Sequence, residues 1–366
     1  MPKLADAVAF LEAFAPVRTA AEWDNVGLLL GDAHGDANTI LTCLTTTPEV
    51  VAEAIAEGVQ LIVSHHPVLF RAAKTLSSHT PEGRLLLPLL RAGIAVYSPH
   101  TAFDNAAHGI NAGLCAKLGI VNAKPLRPRL AKLFKLAVFV PEADLAKVSD
   151  ALFAAGAGCI GRYEQCSFRT PGTGTFFGTE GTNPAVGQKG RREQVPELRL
   201  EVVLPESLLP AVLAALRQAH SYEEPAFDVY PLQSLPLGEG EGRIGMLANP
   251  EPLGDFAKRV KLALNANGVQ FVGDLARPVQ HIAVACGAAG EFLSDATRAN
   301  ADVFMTGEVR FHDALAAQAA GIALVLPGHY ATERPAVEDL AAALAEAFPA
   351  ARVAASRAER DPLQVA

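Results

Sequence analysis

Apolar residues along this chain recur with two periods, and the switching between them predicts its elements. Leu4, Val8, Leu11 and Phe14 have helical spacing, which Ala15-Pro16 stops. After Leu28-Leu29-Leu30, the stretch Ile40 to Thr46 reads as a strand rich in β-branched residues. Pro48 to Glu57 then reads as a helix ended by Gly58, and Val59 to Val63 as the next strand. A helix from Pro81 to Arg91 closed by Gly93, a strand at Ile94 to Tyr97 and a helix at His108 to Leu118 follow. Strand and helix thus alternate in the manner of βαβ units on a largely parallel sheet.

The texture changes near Arg127, where Pro125, Pro128 and basic residues precede an apolar strand, Leu133 to Val140. A helix to Ala155, an alternating strand at Leu198 to Leu204, a helix at Pro205 to Ala219 and a strand at Phe227 to Leu232 make a small α+β sandwich of ferredoxin-like type. The Gly/Thr-rich stretch between Gly172 and Gly190 has few packing groups and is expected to form an extended hairpin or a mobile loop. Leu237 to Gly242 reads as a linker, after which the βα texture returns. There the pattern predicts helices at 251–264, 290–300 and 309–320, strands near Gln270, Ile282, Val303 and Ile322, and a last helix from Tyr330 to Phe348. The expected fold class is α/β: one domain made of residues 1–126 and 243–366, split by an inserted α+β domain at 127–242.

At 366 residues the chain exceeds the size at which one core stops growing, which agrees with two domains. A formal charge of −8 supplies no basic field for phosphate backbones, so nucleic-acid binding is disfavoured. A bound divalent ion would offset negative charge locally and admit an anionic small substrate. Cys43, Cys115, Cys159, Cys166 and Cys286 are scattered and show no C-x-x-C spacing, which suits a reducing compartment. The opening Met1 to Asp6 lacks the layout of a signal peptide, and no segment has the roughly eighteen uninterrupted apolar residues of a membrane span. A cytoplasmic protein without a membrane partner is expected.

Candidate chemistry gathers where predicted strands end. Leu61-Ile62-Val63-Ser64 runs into His65-His66-Pro67, and in layered α/β folds ligands collect just outside the carboxyl ends of strands. The bland alternative is one capping histidine and one facing solvent. Beyond the strand at Ile94 to Tyr97 stand His100 and Asp104; Asp104 by itself reads more readily as a helix cap for the segment after Asn105, and His100 as a residue that orients a ligand. His329 and Glu333, four apart at a helix start, share one face and can grip one ion together, although an exposed first-turn pair has the same spacing. Three imidazoles and two carboxylates exceed the needs of one tetrahedral ion and suit a pair of divalent ions roughly 3.5–4 Å apart. Mixed nitrogen and oxygen ligation favours zinc, manganese, iron or nickel. Glu308 and His312, also four apart, are candidates for ligands or for groups that contact substrate and move protons, with a solvated helix start as the alternative. His34, His79, His108, His220 and His281 have no partner at useful spacing. No Gly-x-Ser-x-Gly elbow, P-loop or dinucleotide fingerprint occurs.

Ser64-His65-His66-Pro67, His100-Thr101 with Asp104, Thr306-Gly307-Glu308 with His312, and Gly328-His329 with Glu333 resemble the dinuclear-metal proteins known as GTP cyclohydrolase I type 2 homologues, the NGG-interacting-factor-three-like family. Gly161-Arg162-Tyr163-Glu164, Gly172 to Phe176 and His220 to Pro225 are similar to the PII/CutA-like middle domain of that family's longer members. The resemblance implies that His65, His66, Asp104, His329 and Glu333 hold two metals, and that the protein is a toroidal homohexamer with its metal sites facing an internal cavity. It also implies hydrolytic opening of the imidazole ring of GTP with release of formate. Phe103 and Ala107-His108-Gly109, both next to Asp104, depart from the family pattern. Two other functions stay open on the sequence: a hydrolase of another nucleotide or phosphoester, and a non-enzymatic protein whose metals serve regulation or assembly.

Overall fold

The structure, a computed structural model, describes residues 2–365. The chain forms two compact units, Met1–Arg129 with Gly238–Ala366, and Leu130–Leu237. In the first, Leu4, Leu11, Leu61, Val63 and Tyr97 from the early segment are buried in one cluster with Phe256, Val260, Val284, Met305 and Leu340 from the late one. Two stretches that are distant in sequence therefore share a core.

That unit holds two mixed sheets. The five-stranded sheet runs Gly27–Leu30, Ala95–Ser98, Leu61–Ser64, Thr39–Cys43, Arg352–Ala355. All its neighbours are parallel except the edge strand Gly27–Leu30, which is antiparallel to Ala95–Ser98. The six-stranded sheet runs Gln270–Val272, Ala323–Leu326, Val303–Thr306, Pro278–Ala285, Arg243–Pro252, Ile120–Lys124. Only its three middle strands, Ala323–Leu326, Val303–Thr306 and Pro278–Ala285, are parallel to one another. The expectation of largely parallel pairing thus holds where a helix crosses between consecutive strands and fails toward the sheet edges, where Gly27–Leu30, Ile120–Lys124, Arg243–Pro252 and Gln270–Val272 pair antiparallel. Leu61–Ser64, Ala95–Ser98 and Val303–Thr306 are buried along their whole length, as parallel strands covered on both faces must be.

The unit at Leu130–Leu237 has a four-stranded antiparallel sheet in the order Phe227–Pro231, Leu133–Val140, Arg192–Pro205, Phe168–Phe177. Helices Leu145–Ala154 and Leu209–Ala219 pack against Leu136, Val138, Leu200 and Val202 on one face. The Gly/Thr-rich stretch is no free loop in its first part: Phe168–Phe177 pairs along its whole length with Arg192–Pro205. Glycine serves close approach here, since a Cβ on Gly174 would lie 2.1 Å from the Glu197 carboxylate that crosses it. The expected linker also forms structure, because Leu235–Glu241 pairs with Arg127–Ala131.

The last helix is broken in two, His329–Glu333 and Pro335–Ala347, at the position where Pro335 cannot donate a backbone hydrogen bond. All five cysteines are free. Among the described residues no helix is long and apolar enough to cross a membrane.

Candidate metal centre

Every parallel strand near the centre ends in a chemically useful residue. Leu61–Ser64 delivers His65 and His66, and Ala95–Ser98 leads into the short helix His100–Asn105 that carries Asp104. From the other sheet, Pro278–Ala285 ends at Cys286 and Gly287, Val303–Thr306 at Glu308, and Ala323–Leu326 at the helix His329–Glu333. The carboxyl ends of both sheets open on a cavity of about 440 Å³ whose lining includes His66, His100, Asp104, Cys286, His329 and Glu333. This is the position that an open α/β sheet offers a ligand.

Within it the side chains converge. An oxygen of the buried Glu333 carboxylate, Oε2, lies 3.0 Å from His66 Nε2, 3.0 Å from His329 Nε2 and 4.0 Å from His65 Nε2. Asp104 Oδ1 lies 3.6 Å from His65 Nε2 and accepts a hydrogen bond from Cys286 Sγ at 3.2 Å. Two groups, His65 with His66 and His100, and His66 with His329 and Glu333, each bring three ligand atoms within 4.8 Å of one another. The sequence-expected ligands His65, His66, Asp104, His329 and Glu333 therefore meet in one place. Phe103, buried between Phe14 and His65, forms part of the wall behind them.

Three of the four imidazoles are held at their outer nitrogen. Thr45 Oγ1 lies 2.7 Å from His66 Nδ1, Glu308 Oε1 3.0 Å from His329 Nδ1, and Asp24 Oδ1 2.7 Å from His100 Nδ1. These bonds orient the rings so that Nε2 faces the cavity, the arrangement found around metal-ligating histidines. His100 is also held at φ 29°, a left-handed value uncommon for a residue with a Cβ. Asp24, Thr45, Cys286 and Gly287 were not singled out by sequence, because their partners lie up to 182 positions away. Gly287 has φ +64°, and a Cβ there would stand 2.3 Å from Glu333 Oε1, so glycine is what lets the carboxylate occupy its place. His312 is exposed, does not line the cavity, and among the described residues its side chain makes no hydrogen bond or ion pair.

The electrostatics follow from burial. Desolvation pushes the His65 imidazole down to about 3, while burial and the Glu333 charge push the Asp104 carboxyl up to about 7. Glu333, in spite of burial, is held below the usual carboxylate range by His329 and His66, and His329 is raised to about 9 chiefly by Glu333. Burial works against a charge on His100, but its bond to Asp24 outweighs this and raises it.

The residues present fit divalent metal. Both ring nitrogens of His65 are buried without a hydrogen-bond partner. Each such orphan costs about 1–3 kcal/mol, and a native site keeps it for a reason. Three imidazoles and two carboxylates in a single cavity are a donor set for zinc-like or manganese-like ions.

The family model described as Duf34/NIF3 (NGG1p interacting factor 3) matches residues 2–362. A Bacillus subtilis (strain 168) protein named GTP cyclohydrolase 1 type 2 homolog is 40% identical over 325 residues, 88% of this chain and 87% of its own length. A Mycobacterium tuberculosis protein of the same name is 38% identical over 338 residues, covering 91% and 89%. Among solved structures, a Staphylococcus aureus protein superposes with a TM-score of 0.85 at 30% identity, covering 100% of this chain and 99% of that one. A Bacillus cereus protein related to NIF3 does so with a TM-score of 0.78 at 34% identity, with the same coverage. With a match over nearly its whole length and the His, Asp and Glu residues of the family pattern gathered in one cavity, the chain belongs to the Duf34/NIF3 family.

Proposed function

We propose that the cavity is a dinuclear divalent-metal centre and that the protein is a metal-dependent hydrolase, with GTP cyclohydrolase-type ring opening as the reaction that its relatives' names suggest. The observation that carries this reading is the meeting of His65, His66, Asp104, His329 and Glu333, with His65 buried and unpartnered at both ring nitrogens. These five side chains would hold the ions. Two such ions supply Lewis acidity and a lowered water pKa.

The chain's own residues set the rest. Thr45 and Glu308 fix the rings of His66 and His329 through their Nδ1 atoms, so both Nε2 atoms stay aimed inward. His100, anchored on Asp24, stands beside His65 and His66 with ring centroids 5.3 and 5.8 Å away and orients that side of the centre. Glu308, half exposed, is placed to take or give a proton at the cavity rim, a role the exposed His312 does not share in this conformation. The unit at Leu130–Leu237 is read as the PII/CutA-like insert, on the strength of its β-α-β-β-α-β order. A homohexameric ring is the proposed assembly, to be checked by sedimentation.

Elemental analysis of purified protein should find two divalent ions per chain, and the metal-loaded protein should release formate from GTP or a related ring. Metal-loaded protein that opens no such ring would retain the centre and sink the ring-opening reaction.

A further inference from the structure

The cavity is armed for a flat ring and poorly armed for phosphate. Trp23 and Phe70 both line it, and both are exposed, at 65% and 50%. Their rings lie 5.9 Å apart edge to face, and each stands against His100, at 6.2 and 6.3 Å. Asn25 Nδ2 donates to the Leu69 carbonyl oxygen at 2.5 Å, which ties the two loops carrying these rings together. Large aromatics left open beside a cluster of inward-facing imidazoles form a corner onto which a planar heterocycle can stack. The volume, about 440 Å³, lies in the range of small-molecule sites.

Nothing opposite that corner fits a polyphosphate. Among the described residues that line the cavity none is lysine or arginine, whereas Glu241 and Glu291 do line it. Arg127 reaches the rim but is already committed: it lies 3.6 Å from Glu241, 3.8 Å from Glu291 and 2.5 Å from Asp295, and its guanidinium stacks on Phe292 at 4.1 Å. Asp104 and Glu333 would neutralise half the charge of two divalent ions, and Glu241 and Glu291, shared with Arg127, would lower the remaining field toward a tetraanion.

We propose that the ligand of this site is an uncharged or weakly charged planar heteroaromatic of base or nucleoside size, stacked on Trp23 and Phe70, and that a triphosphate tail contributes little to its recognition. This rests on the metal-centre reading and names its substrate class; it disfavours phosphoesters.

The test uses the metal-loaded full chain and its single tryptophan as reporter. Guanosine should quench that fluorescence with an affinity within about tenfold of GTP, and inorganic triphosphate should neither quench nor displace guanosine. Phe70→Ala should weaken guanosine binding about tenfold with the bound metal unchanged. In calorimetry Trp23→Phe should keep most of the affinity that Trp23→Ala loses. GTP binding more than tenfold tighter than guanosine, displacement by triphosphate, or equal affinity in Trp23→Phe and Trp23→Ala would overturn the proposal. Metal analysis of the same samples separates the two readings: protein that holds metal without binding rings sinks this inference alone, and protein that holds no metal sinks the centre.

Discussion

His329 and Glu333 stand four residues apart, and so do Glu308 and His312; chemistry and spacing are the same, and the fold treats the two pairs differently. The first lies on one helix, His329–Glu333, so both members face the same cavity, and Glu333 is pressed into it beneath Gly287. In the second, residues 308–310 precede the helix Phe311–Ala320, so the one-turn geometry that spacing assumes does not exist. Glu308 turns back to His329 and His312 is left in solvent. Spacing identifies a pair only where the backbone between its members is helical. A further pair, His100 and Asp104, is helical yet splits its tasks: His100 bonds to Asp24, 76 positions away, and Asp104 faces His65.

The largest expected effect breaks the first pair. His329→Ala with Glu333→Ala should empty the centre and lower turnover by more than about 100-fold, beyond what loss of an outer partner costs. In the wild type the same ions should raise the melting temperature, by an amount that grows with metal concentration and vanishes with chelator.

Smaller effects should follow from the groups that hold the ligands. Gly287→Ala puts a methyl 2.3 Å from Glu333 Oε1 and should weaken metal affinity about tenfold, as should Glu308→Gln, which alters the partner of His329 Nδ1; titration calorimetry reads both.

Asp24→Asn tests the long-range pair through pH. Burial would raise the Asp24 carboxyl, but bonds from His100 and Thr101 overcome this and lower it from 3.8 to about 2. A depressed carboxyl adds stability above its unfolded value and loses it as pH falls through the folded one. The wild type should therefore exceed the variant by about 2 kcal/mol at pH 6, and the gap should shrink as pH falls below 3.8 and close near pH ~2 in urea melts. The smallest effect belongs to His312→Ala, which should leave metal content unchanged and turnover within about twofold, because an exposed side chain without partners has little to lose.

These contrasts say what the sequence made legible. The strand at Leu61–Ser64 and its two histidines were readable because a short apolar run and a proline bracket them, and His329 with Glu333 because helical spacing is local. Asp24, Cys286 and Gly287 were not, since each acquires its role from a partner on another strand end. In the fold, alternation gave the α/β class but missed Ile120–Lys124 and Arg352–Ala355, short strands whose pairing is set by the sheet they join. The strand Phe168–Phe177 was hidden by its glycines, of which Gly174 serves to seat Glu197.

The central claim, that one cavity built from both ends of the chain holds two ions, is tested most directly by an anomalous-scattering map from crystals grown with zinc or manganese. The account predicts two peaks per chain, both within ligand distance of the set His65, His66, Asp104, His329 and Glu333. A map with its only peaks elsewhere, or with none in that cavity, would contradict it.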